Sequence, residues 1–117
     1  MAKESGVFFV RGNDMIRIVR TKDLQKRFSE WQVASPHPLV IVGKITTAAT
    51  AKVVGEWLQN VGLLPRMGGM TDNWRGNECD IMQAHDFLKI ALHRFRVRGE
   101  WYDLNQAILV AVPCERF

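Results

Sequence analysis

Eight cationic side chains stand where they can act on an anion: Arg17, Arg20, Lys22, Lys26 and Arg27 early in the chain, Arg94, Arg96 and Arg98 near its end. A guanidinium meets phosphate oxygens two at a time and an ammonium meets them as a point charge. Each phosphate neutralised releases counterions, so such a set can hold a polyanion in a salt-sensitive way. The same set is also what a solvated basic face looks like. Glu100, beside Trp101 and Tyr102, is either a catalytic carboxylate or the ion-pair partner of Arg96 or Arg98. His37, His85 and His93 have no ligand spacing with Cys79 or Cys114, so a zinc site is not expected. Met67-Gly68-Gly69-Met70 with Trp74 reads as an adaptable binding loop or as apolar cover over the sheet.

Composition agrees with a partner that is anionic. The chain has 117 residues, the usual size of one domain, so residues 1–117 are expected to form a single one. Sixteen Lys+Arg against 12 Asp+Glu give a formal charge of +4, which suits a polyanion and excludes a mimic of DNA. The sequence holds no apolar run of the ~18 residues that span a membrane, and Val7–Val10 is too brief for a signal-peptide core. Two cysteines without a CxxC pair point to a reduced, cytoplasmic setting.

The elements that must position these residues can be read from local pattern. Val7-Phe8-Phe9-Val10 and Met15-Ile16-Arg17-Ile18-Val19 flank Arg11-Gly12-Asn13-Asp14, which predicts a hairpin. Leu24, Phe28 and Trp31 then share one helical face, with Thr21 or Asp23 as the cap and Ser35-Pro36-His37-Pro38 as the stop. Leu39 to Ile45 reads as a buried strand, followed by a helix that opens at Thr46-Thr47 and ends at Gly62 and Pro65. Residues 65–79 read as a loop and about 80–95 as a helix. A short extended piece at 100–102 and a last helix or strand at 106–112 complete an α+β chain with a mixed sheet flanked by helices.

Several of these phrases resemble the GIY-YIG endonuclease superfamily, in the branch common among phage and mobile-element proteins. Gly6-Val7-Phe8-Phe9-Val10-Arg11 is similar to its first strand and Arg17-Ile18-Val19 to its second. Thr21-Lys22-Asp23-Leu24-Gln25-Lys26-Arg27-Phe28 is similar to its helix of the form S-x-N/D-L-x-x-R. Trp31 to Ile41 follows an LQTGNPxPLxLL-like phrase, and Leu92-His93-Arg94-Phe95-Arg96-Val97-Arg98-Gly99-Glu100-Trp101-Tyr102 follows an ending of LH, a basic run and RxxGEWF. The matches cover about residues 6–45 and 84–105. Residues of about 46–83 are an extended insertion.

What the resemblance implies is metal-dependent phosphodiester cleavage: hairpin tyrosines that help activate water, a helix arginine on the scissile phosphate, and a glutamate holding one Mg²⁺ or Mn²⁺. Arg27 takes the arginine position, and His93 fits the pattern or serves only as a structural hydrogen-bonding group. The first tyrosine is replaced by Phe8, the second-strand position by Arg17 and the strand glycine by Val19. Lys89 stands where the metal glutamate belongs, with Asp86 one turn earlier on the same face. The hairpin, first helix and C-terminal turn would border one groove lined by Arg17, Arg20, Lys22, Lys26, Arg27, Arg94, Arg96 and Arg98. Three functions follow. One is a nuclease-like protein that binds nucleic acid, DNA before RNA, with impaired catalysis and no cofactor. Another is a phage-type inhibitor of a host enzyme or defence complex. The third is an active endonuclease using Arg27, His93 and Glu100, with Asp86, Glu78 or Glu100 on the metal. The losses at Phe8, Val19 and Lys89 favour binding without cutting.

Overall fold

The computed structural model describes residues 4–64, 78–104 and 106–116. Two strands open it, β1 (Gly6–Gly12) and β2 (Met15–Thr21), paired antiparallel from Gly6↔Thr21 to Gly12↔Met15. The two-residue connection places Asn13 at φ 58°, the left-handed region that asparagine tolerates. Helix α1 (Leu24–Ala34) follows, its N-cap Asp23 accepting the Lys26 backbone N–H at 3.3 Å. Then come β3 (Leu39–Ile45), α2 (Ala48–Asn60) capped by Thr47, and α3 (Glu78–Ala91). A 3-10 turn at His93–Phe95 leads into β4 (Arg96–Arg98), β5 (Trp101–Tyr102) and α4 (Gln106–Ala111).

The α+β class stands, with one correction within it. Among the described residues the five strands run in the order β3-β1-β2-β5-β4, and every pairing is antiparallel where a mixed sheet was expected. β2 and β3 do run the same way, joined through α1, but β1 lies between them and pairs with both. The predicted helix over 80–95 is α3 plus the 3-10 turn, and the extended piece at 100–102 is one strand of a β4–β5 hairpin. Of the predicted loop at 65–79, Glu78 and Cys79 begin α3. Met67–Met70 and Trp74 lie outside the described residues.

Alternation along β1 divides the core. Val7 and Phe9 join Ile16, Ile18 and Ile45 against α2, α3 and α4, whereas Phe8 and Val10 join Val19, Leu24, Trp31 and Leu39 under α1. Because both faces are covered, β1 is buried at every residue except Arg11. Gly6, at φ 146°, is where β1 and β3 close on each other; a Cβ there would collide with the Ile45 carbonyl oxygen.

The tail fastens the far edge. Lys44 and Glu115 exchange backbone hydrogen bonds, and the Glu115 carboxylate accepts from Thr46 N–H at 2.7 Å and Thr46 Oγ1–H at 2.6 Å, just before α2. The Arg116 guanidinium donates to the carbonyls of Leu109, Val110 and Val112 at the end of α4. Among the described residues no helix is long and apolar enough to cross a membrane.

Candidate anion-binding cavity

Where β2 hands over to α1, the chain turns on Thr21. Its hydroxyl accepts the Asp23 backbone N–H at 3.2 Å, while the Leu24 N–H donates to the Glu4 carbonyl at 2.9 Å. These bonds hold the segment before β1 beside the start of α1 and fix three cations around one open cavity of about 580 Å³. Arg20 comes from the end of β2, Lys22 from the connection and Arg27 from the first turn of α1. Ser5, Gly6 and Thr21 line it as well, together with Ile81 and Met82 from the first two turns of α3. No described lining residue is acidic. Among the described residues Arg27 has one ionic neighbour, Glu30 at 3.6 Å, with both side chains about half exposed, an i,i+3 surface pair worth a few tenths of a kcal/mol. The arrangement can hold a phosphate or a similar anion.

Arg17 sits differently. Its Nε and Nη2 both lie 3.0 Å from Glu100 Oε2, and its guanidinium carbon is 5.0 Å from the Trp31 ring centre and 5.8 Å from that of Trp101. Glu100 therefore pairs with Arg17, not with Arg96 or Arg98 as expected. The reason is register: Arg17 is opposite Trp101, which brings Glu100 alongside. Trp101 is partly buried against the cluster under α1.

The other basic residues are spread along one edge. β4 is the outermost strand and exposed at all three residues. Arg96 Nε donates to the Gly99 carbonyl at 2.8 Å and so closes the hairpin turn, while Arg94 lies 5.6 Å from the Phe95 ring centre. The Ile18 N–H donates to the Glu100 carbonyl, so the Gly99–Glu100 turn stands at the end of the sheet where Arg20 lies, and Arg98 leads toward it. Lys26 is exposed on α1.

His93 shares a second open cavity, about 600 Å³, with Asp86, Lys89 and Ile90. Met82 and Lys89 are separated by about 10 Å of helix rise, so Arg27 and His93 face different ends of α3, and Glu100 is committed to Arg17. The three residues expected to act together stand in three settings. The donor set around Lys89 does not fit a divalent cation: the Asp86 carboxylate already has the Lys89 ammonium 3.3 Å away, and Mg²⁺ requires several oxygen ligands. Among the described residues no three His, Cys, Asp or Glu side chains gather as a metal site. Phe8 and Val19 are buried beneath α1, away from any water they would have to activate or approach.

Two features of the site had no local sequence signal. Ile81 and Met82 reach the cavity through tertiary packing alone. His85, one turn along α3, has its Nε2 buried without a hydrogen-bond partner among the described residues. Burial lowers its pKa, helped by the charges of Lys89 and Arg20 and opposed by Asp86 and Glu100.

No known protein family, curated protein or solved structure matches this chain.

Proposed function

We propose that this protein is GIY-YIG-like in design and binds nucleic acid, DNA in the first instance, through the basic cavity around Arg27 without cutting it. One observation carries the proposal: Arg20, Lys22 and Arg27, from three successive segments, line one cavity that has no acidic side chain among its described lining residues. Cations gathered this way repel one another until an anion arrives, and a phosphate removes that repulsion while releasing counterions. Arg96 and Arg98 on the exposed edge of the sheet extend the basic surface along which a backbone can run. The absence of cutting follows from chemistry at named positions: Phe8 has no hydroxyl and is buried, and the ammonium of Lys89 engages Asp86. A reduced, cytoplasmic setting belongs to the same proposal and fits Cys114, which is unpaired.

The test reads binding and cleavage from the same tubes. Purified protein is incubated with labelled single-stranded, duplex and branched DNA in Mg²⁺ or Mn²⁺. The expected result is a salt-sensitive shift with uncut DNA, and Arg27→Ala weakens binding and lowers the salt slope by about one unit. Cleavage lost in Arg27→Ala would establish a working nuclease instead. Unchanged binding in that variant would remove Arg27 from the site.

A further inference from the structure

The cavity has a second wall that phosphate binding leaves unused. Beside Arg20, Lys22 and Arg27 the cavity is lined by Ile81 and Met82 of α3, and Met82 keeps 46% of its surface exposed. A site built for phosphate alone has no need of an apolar wall. A duplex offers it little, because its base faces are stacked on one another and only base edges and backbone reach a protein. An unpaired nucleotide carries both chemistries at once, a charged phosphate at one end and a flat apolar base face at the other. The volume of about 580 Å³ lies within the ~300–1,000 Å³ of sites that enclose one small ligand, room for a nucleotide and not for a helix.

Resting on the nucleic-acid reading above, we propose that the cavity takes one unpaired nucleotide of a single-stranded segment or frayed end. Its phosphate lies on Arg20, Lys22 and Arg27 and its base against Met82 and Ile81. The unbranched thioether of Met82 adapts to any base and makes favourable sulfur–ring contacts. Among the described lining residues the side chains that could reach a base edge, besides the three cations, are the Ser5 and Thr21 hydroxyls, which both donate and accept, so recognition tolerates any sequence.

The experiment is a fluorescence-anisotropy titration of the full chain. The probes are a labelled 5′-phosphorylated oligodeoxynucleotide and the same sequence closed as a hairpin duplex, at one salt concentration. The single strand binds about tenfold more tightly. Met82→Ala weakens single-strand binding about fivefold and leaves duplex binding alone, whereas Arg27→Ala weakens both. Met82→Leu, which keeps an apolar wall, binds like the parent and separates lost contact from lost folding. Equal affinity for the two probes, or equal losses in Met82→Ala, would overturn the assignment while sparing nucleic-acid binding itself. Binding of neither probe would overturn both proposals. Displacement of the strand by an equal concentration of deoxynucleoside monophosphate would reassign the cavity to a free nucleotide.

Discussion

Arg17 and Arg20 stand three residues apart on the same strand, identical in side chain and opposite in circumstance. Arg17 points to the α1 face, where Glu100 takes two of its donors and Trp31 and Trp101 flank its guanidinium. Arg20 falls on the other face at the strand's end and opens into a cavity shared with two more cations. One arginine is spent on holding α1 to the β4–β5 hairpin; the other has no ion-pair partner among the described residues. A cation becomes a binding residue through the partners it lacks, and the sheet's alternation decides which of the two sides supplies them.

The comparison breaks most visibly if the cavity is emptied of charge. The triple variant Arg20→Ala, Lys22→Ala, Arg27→Ala is expected to lose about a hundredfold in DNA affinity at moderate salt and about three units of salt slope, with its melting temperature little changed because all three side chains are exposed. Filter binding across a salt series together with a thermal melt checks both halves. A stable variant that binds as before would leave the cavity without its role.

Arg17→Ala should give the reverse pattern. Losing two stacking contacts and a partly exposed ion pair costs about 1–2 kcal/mol, a fall in melting temperature of about 5 °C for a chain of this size, while the salt slope stays that of the parent. Arg17→Lys does not restore the stability, since an ammonium cannot lie flat between two indole rings as a guanidinium does. A salt slope that dropped by a full unit in Arg17→Ala would erase the distinction between the two arginines.

How much of this was legible follows from what is local. The hairpin, a cap for α1 at Thr21 or Asp23, β3, and α2 from Thr46-Thr47 toward Gly62 are written in turn residues, caps and periodicity, and the structure places these elements there, with Asp23 and Thr47 as the caps. Sheet direction was not legible, because β1 intervenes between β2 and β3 only in three dimensions. Nor was the break after Ala91: Leu88, Leu92 and Phe95 keep a helical period across it, and Leu92 is fully buried although it lies outside the helix. At the site, the basic residues were legible as a set but not as individuals. Glu100 had Arg96 and Arg98 four and two residues away, yet strand register gave it Arg17, eighty-three positions away. The apolar wall at Ile81 and Met82 carries no motif at all, since their helix pattern is that of any amphipathic helix.

The smallest expected effect tests the comparison through a bystander. His85 is half-buried, and its pKa is lowered first by that burial and then by the charges of Lys89 and Arg20, against Asp86 and Glu100, while Arg17 is not among the groups that move it. In the folded protein its pKa lies below the ordinary 6.5, so between the two values the unfolded chain binds the extra proton. Stability therefore rises with pH through that window; it is complete above about pH 6.5 and is lost progressively as pH falls below it. His85→Leu flattens this slope in urea melts followed between neutral and mildly acidic pH. In an NMR titration of the folded protein, Arg20→Ala raises the His85 pKa and Lys89→Ala raises it further, in the order of their influence. Saturation with a short oligonucleotide raises it in the parent protein too, because phosphate set against Arg20 cancels the field that His85 feels. If DNA binds and His85 does not move, the phosphate is not at Arg20, and the contrast between the two arginines of β2 describes packing alone.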